Sequence, residues 1–162
     1  MGIDEGKKTS NKSWWHSCII AKLYRFVRFN RCRKLTIRAI FLSAYYRFCI
    51  LLVKPKKLHK RWGIEGEETS MDGILPWQYR YAYWVSYAVD KVCSRTAWES
   101  KCLVRALTAK HLLKTKGIPS TMYLGCKMDD GNMVAHAWLR VGKIYVTGGN
   151  GEGYSIVDCF RV

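Results

Sequence analysis

Residues 100–157 constrain the fold more than any other part of this chain. Leu103, Ala106, Leu107 and Leu113 recur at helical spacing. Ser100 stands ahead of them as a candidate N-cap, and Gly117 and Pro119 stop the helix behind Lys114 and Lys116. Four extended patterns follow: Thr121–Cys126, Val134–Val141, Ile144–Thr147 and Tyr154–Val157. Asp129-Asp130-Gly131-Asn132 and Gly142-Lys143 make tight turns between the first three, and the Gly148–Gly153 loop precedes the last. One helix followed by an antiparallel meander predicts an α+β fold.

The helix opens on a thiol. Cys102 falls in its first turn, and His136 lies 34 residues downstream in the second strand pattern. A free thiol titrates at about 8.5, and a helix N-terminus or an imidazolium can lower such a group to roughly 3.5–7.5. The thiolate attacks a carbonyl, the histidine protonates the leaving amine, and N–H groups at the helix start hold the oxyanion. Each residue also has a plainer reading, as a small buried hydrophobe and a strand histidine. His16, His59 and His111 are read as surface residues, and Cys126 and Cys159 as core thiols.

The rest of the chain divides by charge. The first 63 residues hold 16 of the 28 Lys and Arg but only 2 of the 12 acidic residues, a net +14. The remainder is close to neutral and reads as an ordinary globular domain. The expected organisation is a basic helical region at 1–62, a linker at 63–76 rich in Gly and Glu, and a core at 77–162. A helix is expected over Trp77–Cys93, with Tyr81, Trp84, Val85, Ala88 and Val92 on one face. Ile37, Ile40, Phe41, Ala44, Tyr45 and Phe48 predict another, ended by Val53-Lys54-Pro55. Arg38 and Arg47 inside it would cost about 2.5–3.5 kcal/mol each at a bilayer centre, so a spanning helix is not expected. It is read as packed on a core, with a membrane-surface helix as the alternative.

Several classes drop out. Hydrophobic residues make up 49% of the chain, which excludes disorder. Seven cysteines without C-x-x-C spacing suit reduced thiols, not a disulfide framework or a zinc ribbon. No secretory signal pattern stands out. The 148–153 glycines lack the Lys and the strand–helix context of a phosphate loop. Arg and aromatic interleaving at 24–29 is not backed by any nucleic-acid motif, and no nucleic-acid partner is expected.

Four blocks together resemble the transglutaminase-like cysteine peptidases of lasso-peptide biosynthesis. They are Trp98–Leu107, Lys116–Thr121, Ala135–Gly142, and Tyr145–Gly149 leading to Ile156, Val157 and Phe160. The resemblance implies a papain/transglutaminase-like core, with the Cys helix packed on an antiparallel sheet and basic N-terminal helices ahead of it. It implies a leader peptidase acting on a ribosomally made precursor peptide of leader plus core. The implied partners are a separate leader-recognition protein of winged-helix type and a lasso cyclase. The implied place is a bacterial cytoplasm, with the inner face of the membrane as an alternative. Cys102 and His136 take the nucleophile and base positions, and neither cofactor nor metal is expected. The family often places an Asp on the strand after the histidine, and the twelfth residue on from His136 is Gly148 here. Asn150 is the first candidate for the third member, Asp158 the second, and a backbone carbonyl a further option. The competing function is a non-catalytic scaffold whose basic helices bind an acidic leader or a membrane surface.

Overall fold

The computed structural model describes residues 32–162, of which Lys34–Val162 form one compact unit. Residues 1–31 of the basic region expected at 1–62 lie outside the described residues. The fold is mixed helix and antiparallel sheet, as expected. Helix α1 spans Arg33–Leu52 and α2 Pro55–His59; strand β1 is Ile64–Glu65; α3 spans Pro76–Cys93 and α4 Cys102–Lys114. Strands β2 (Thr121–Asp129), β3 (Asn132–Val141), β4 (Ile144–Thr147) and β5 (Ser155–Arg161) follow.

The local signals explain most of these limits. Pro76 occupies the first turn of α3, where its missing N–H costs nothing, and Gln78 Oε1 accepts from the Leu75 N–H at 2.8 Å. Gly117, at φ 63°, ends α4, and the Ile118 N–H reaches back to the Leu113 carbonyl at 3.2 Å. Asp130 (φ 48°) and Gly131 (φ 78°) form the two-residue loop that joins β2 to β3 with matching twist.

The sheet order is β1-β5-β2-β3-β4, so the expected simple meander is corrected at its last strand. β5 does not continue beside β4. It crosses the sheet and pairs antiparallel with β2, from Thr121↔Arg161 to Cys126↔Ser155. The cause is the glycine loop, which folds over Trp138 and delivers the chain to the far side of β2. A Cβ on Gly151 would stand 2.5 Å from the Trp138 ring, and one on Gly148 would stand 2.6 Å from the Ala137 carbonyl oxygen.

Alternation divides the sheet into two faces. Met122, Leu139 and Phe160 are register partners and are fully buried, with Ala137 and Val141 beside them. This is the core face. Helix α4 packs on β3 and β4, and α3 packs on α4. Trp62 stacks edge-on against Phe160. Lys110, inside α4, donates to the Arg61 and Trp62 carbonyls at 2.9 and 2.7 Å, and burial, then the Lys114 charge, lower its pKa to about 8.

Tyr123, Trp138, Arg140 and His136 stand on the other face. Arg140 is 2% exposed and fully engaged there. It meets Glu68 Oε2 at 2.9 Å, the Tyr123 hydroxyl at 2.9 Å, and the carbonyls of Gly142 and Thr69 at 2.7 and 3.1 Å. The stretch expected as a linker therefore does structural duty: β1 pairs with β5, Glu68 meets Arg140, and Thr69 bonds Thr121.

Helix α1 forms where the apolar spacing predicts it, but with the opposite side inward. Leu35, Thr36, Ala39 and Ser43 are buried, while Ile37, Phe41, Tyr45 and Phe48 are exposed. His111, read as a surface residue, meets this helix: Tyr46 Oη lies 2.9 Å from its Nδ1. Burial pushes Tyr46 up to about 12 and lowers His111, so the hydroxyl is the donor and the ring the neutral acceptor.

Arg140→Leu takes the donor from the Gly142 and Thr69 carbonyls and the Tyr123 hydroxyl, and the cation from Glu68. It is expected to lower unfolding free energy by about 3 kcal/mol. In urea titration the midpoint should fall with the slope unchanged.

Candidate active site

The nucleophile candidate sits where a helix leaves donors free. Lys101 is the N-cap of α4, with no side-chain cap, and Cys102 is the first helical residue. The expected cap, Ser100, lies one residue too early. Its carbonyl accepts from Arg105 Nε at 3.1 Å, and its hydroxyl lies 3.4 Å from that of Thr96. The first helical bond runs from the Arg105 N–H to the Lys101 carbonyl. Among the described residues, the N–H groups of Cys102, Leu103 and Val104 have no protein acceptor. The Cys102 side chain is half-buried.

The loop before Cys102 is anchored to α1. Trp98 Nε1–H donates to Ser43 Oγ at 3.3 Å, and Arg47 meets Glu99 at 2.8 Å. Lys101 meets the other oxygen of Glu99 at 2.9 Å. Lys101 first, then Arg47, hold the Glu99 carboxyl below the usual range.

His136 stands half-exposed on β3 with its ring held from two directions. Its Nε2 lies 2.7 Å from the Gly148 carbonyl oxygen. Trp138 stacks at 5.8 Å between centroids and Tyr154 lies at 4.9 Å. A carbonyl can only accept, so Nε2 carries the proton and the Nδ1 lone pair is left as the base.

The side-chain candidates for orienting His136 are engaged elsewhere. Asn150 Oδ1 accepts from the Glu152 N–H at 3.1 Å, and its amide faces the Glu152 carboxylate at 3.5 Å. Asp158 shares the core face: it pairs in register with Leu124, lies 3.4 Å from His59 Nε2, and accepts from the Cys159 N–H. Thr147 Oγ1 is buried and has no hydrogen-bond partner among the described residues. The group that orients His136 is thus the backbone of Gly148, at the twelfth position on. The count from His136 points to that position, but a glycine offers no side chain to notice. Tyr154 carries no motif signal, because its contact with His136 depends on the loop's path.

Gly148 also lines a cleft next to the cysteine helix, although neither Cys102 nor His136 is part of its lining. With Gly149 and Thr147 it borders this cleft, of about 260 Å³, whose other wall includes Val89 and Asp90 of α3 and Arg105 of α4. Arg105 lies one turn beyond Cys102 and pairs with Asp90 at 2.8 Å. Among the described residues no hydrogen bond joins the Cys102 thiol to the His136 ring. Helix α4 packs on the Ala137 and Leu139 face of β3, whereas His136 projects from the Trp138 face, so the structure does not bring the two side chains together.

The transglutaminase-like superfamily model matches residues 61–157, more than half the chain. The chain belongs to the transglutaminase-like superfamily. Neither a curated protein nor a solved structure matches it. The superfamily match covers α3, α4, β2–β4 and the loop after β4, which between them carry Cys102, His136 and Gly148. Superfamily members are in general cysteine hydrolases and acyltransferases, which suits a thiol and an imidazole and calls for no metal. The described residues hold one group of metal-ligand type, His59, Glu65 and Asp158, with ligand atoms within 4.8 Å. The carboxylates face different ring nitrogens, Glu65 at 3.8 Å from Nδ1 and Asp158 at 3.4 Å from Nε2. The two carboxylates thus stand at opposite nitrogens of the ring.

Gly151 has φ 74° as well as the close approach to Trp138, so any side chain there displaces the loop. Gly151→Ala is expected to cost about 2 kcal/mol in stability. It should also lower activity by more than tenfold, because the Gly148 carbonyl and Tyr154 move with the loop. Urea titration and an amide-cleavage assay on the same preparation check both.

Proposed function

We propose that this protein is a cysteine peptidase that removes the leader from a ribosomally made lasso-peptide precursor. The observation that carries the catalytic part is the Gly148 carbonyl on His136 Nε2, which fixes the ring with Nδ1 as the base. The substrate rests on the four sequence blocks that resemble the lasso-peptide leader peptidases.

In this reading the Cys102 Sγ–H proton passes to His136 Nδ1 as sulfur attacks the carbonyl carbon of the leader–core peptide bond. The oxyanion accepts from the free N–H groups at the start of α4. The imidazolium then gives its proton to the leaving core amine, the C–N bond breaks, and a leader thioester remains on Cys102. Water, deprotonated by His136, attacks the thioester and releases the leader acid and the thiol. The freed core amine is what a separate lasso cyclase would join to an acidic side chain. The Gly148 carbonyl stabilises the imidazolium by accepting from Nε2–H throughout, the part a carboxylate plays in a triad. The cleft beside Gly148 and Arg105 suits an extended peptide entering past the helix start. A separate winged-helix protein would present the leader. The location consistent with these partners is the bacterial cytoplasm.

The anchored loop before Cys102 and the pinned His136 favour this reading over a non-catalytic scaffold. An inert scaffold would not need either device.

Cleavage of the precursor in the presence of its recognition protein is read by intact mass. Cys102→Ala and His136→Ala should each reduce cleavage by at least about 1,000-fold, with unchanged circular dichroism. Asn150→Ala and Asp158→Asn should stay within about threefold of the parent. A loss in Asn150→Ala comparable to His136→Ala would show that Asn150, not the carbonyl, orients the ring in the working enzyme.

A further inference from the structure

Helix α1 presents an outer face that nothing in the peptidase reading uses. Ile37, Phe41, Tyr45, Phe48, Leu51 and Leu52 form one stripe at helical spacing, and all are exposed. Phe41 is 71%, Phe48 63% and Leu52 80% exposed. Isolated exposed apolar side chains are ordinary, but a continuous aromatic and aliphatic stripe marks an interaction surface.

The charge around the stripe selects the occupant. Arg33, Lys34 and Arg38 lie exposed at its N-terminal end, and Lys54, Lys57 and Lys60 beyond its C-terminal end. From Arg33 to Gly63 the chain contains no Asp or Glu. A second copy placed on this face would bring cations against cations. An apolar stripe in an acid-free basic rim matches a surface of anionic headgroups over acyl chains.

The helix is long and apolar enough to cross a bilayer by composition alone. Its other side, however, is committed to the domain. Ala39 and Ser43 are fully buried, Ser43 accepts from Trp98, Tyr46 meets His111, and Arg47 pairs with Glu99. A spanning helix would have to surrender all of these contacts.

We propose that α1 is an interfacial membrane-binding helix that seats the protein on an anionic lipid surface. The stripe enters the headgroup–acyl boundary, and the basic residues at both ends meet lipid phosphates. The same helix holds Trp98 and Glu99, four and three residues before Cys102, so a docked protein keeps the Cys102 loop close to the bilayer. The inference does not depend on the peptidase reading, since it concerns the opposite side of α1.

The test is co-sedimentation of the full chain with vesicles of phosphatidylglycerol and phosphatidylcholine, against phosphatidylcholine alone. The parent should bind the anionic vesicles at least about tenfold more tightly, and Phe41→Gln/Phe48→Gln should lose about tenfold or more. Lys54→Glu/Lys57→Glu, which leaves the stripe intact, should weaken binding to anionic vesicles only. Circular dichroism and the urea midpoint confirm that each variant folds. No binding of the parent to anionic vesicles overturns the proposal. So does a Phe41→Gln/Phe48→Gln variant that binds as tightly as the parent. Lipid-free self-association that this variant abolishes, with vesicle binding unchanged, would assign the stripe to a second copy instead.

Discussion

The close approach of the glycine loop to Trp138 is the contact on which the rest depends. Gly148 and Gly151 stand where any Cβ would overlap the indole, Ala137 or both. Because the loop can lie flat on that ring, the chain crosses the sheet and β5 pairs with β2 instead of β4. The same path aims the Gly148 carbonyl at His136 Nε2 and lays Tyr154 against the imidazole. Topology and candidate chemistry thus rest on one packing event. Trp138 is both a core residue, 2% exposed, and the wall that positions the histidine.

A second set of constraints works from the helical side. The nucleophile loop is short of regular structure, yet Trp98 and Glu99 tie it to α1 by a hydrogen bond and an ion pair. The unpartnered N–H groups at the start of α4 have a cost that a fully capped helix would avoid. In the proposed reaction these donors, beside a half-buried thiol, hold the developing oxyanion. On the far side of the sheet, Arg140 joins Glu68 and Thr69 to β2 and β3, so the segment between α2 and α3 is part of the domain's frame.

Much of this was legible from residue pattern. Helix α4 and the hairpins follow from Gly117, Pro119, Asp130-Gly131 and Gly142, whose backbone demands are local. Helix α3 follows from its apolar face and Pro76. The non-local features were hidden. A two-residue strand such as β1 has no periodicity to read. The crossing of β5 goes with the close approach of Gly148 and Gly151 to Ala137 and Trp138, and nothing in Gly148–Gly153 alone distinguishes crossing from turning. Helix α1 was legible as a helix but not as to its inward side, because small Ala39 and Ser43 pack closely while the larger Phe41 and Phe48 face out. At the site, Cys102 and His136 stand out by residue type and context. The group that orients His136 does not, because a backbone carbonyl can come from any residue.

The central claim is that Cys102 and His136 work as a pair, and a bifunctional thiol and imidazole alkylating agent tests it without knowledge of the substrate. The protein would be treated with 1,3-dibromoacetone, digested, and the cross-linked peptides identified by mass spectrometry. The account predicts one dominant product in which a three-carbon bridge joins Cys102 to Nδ1 of His136, absent in the His136→Ala variant. Alkylation of Cys102 without a bridge to His136, or a bridge from Cys102 to another histidine, would contradict it.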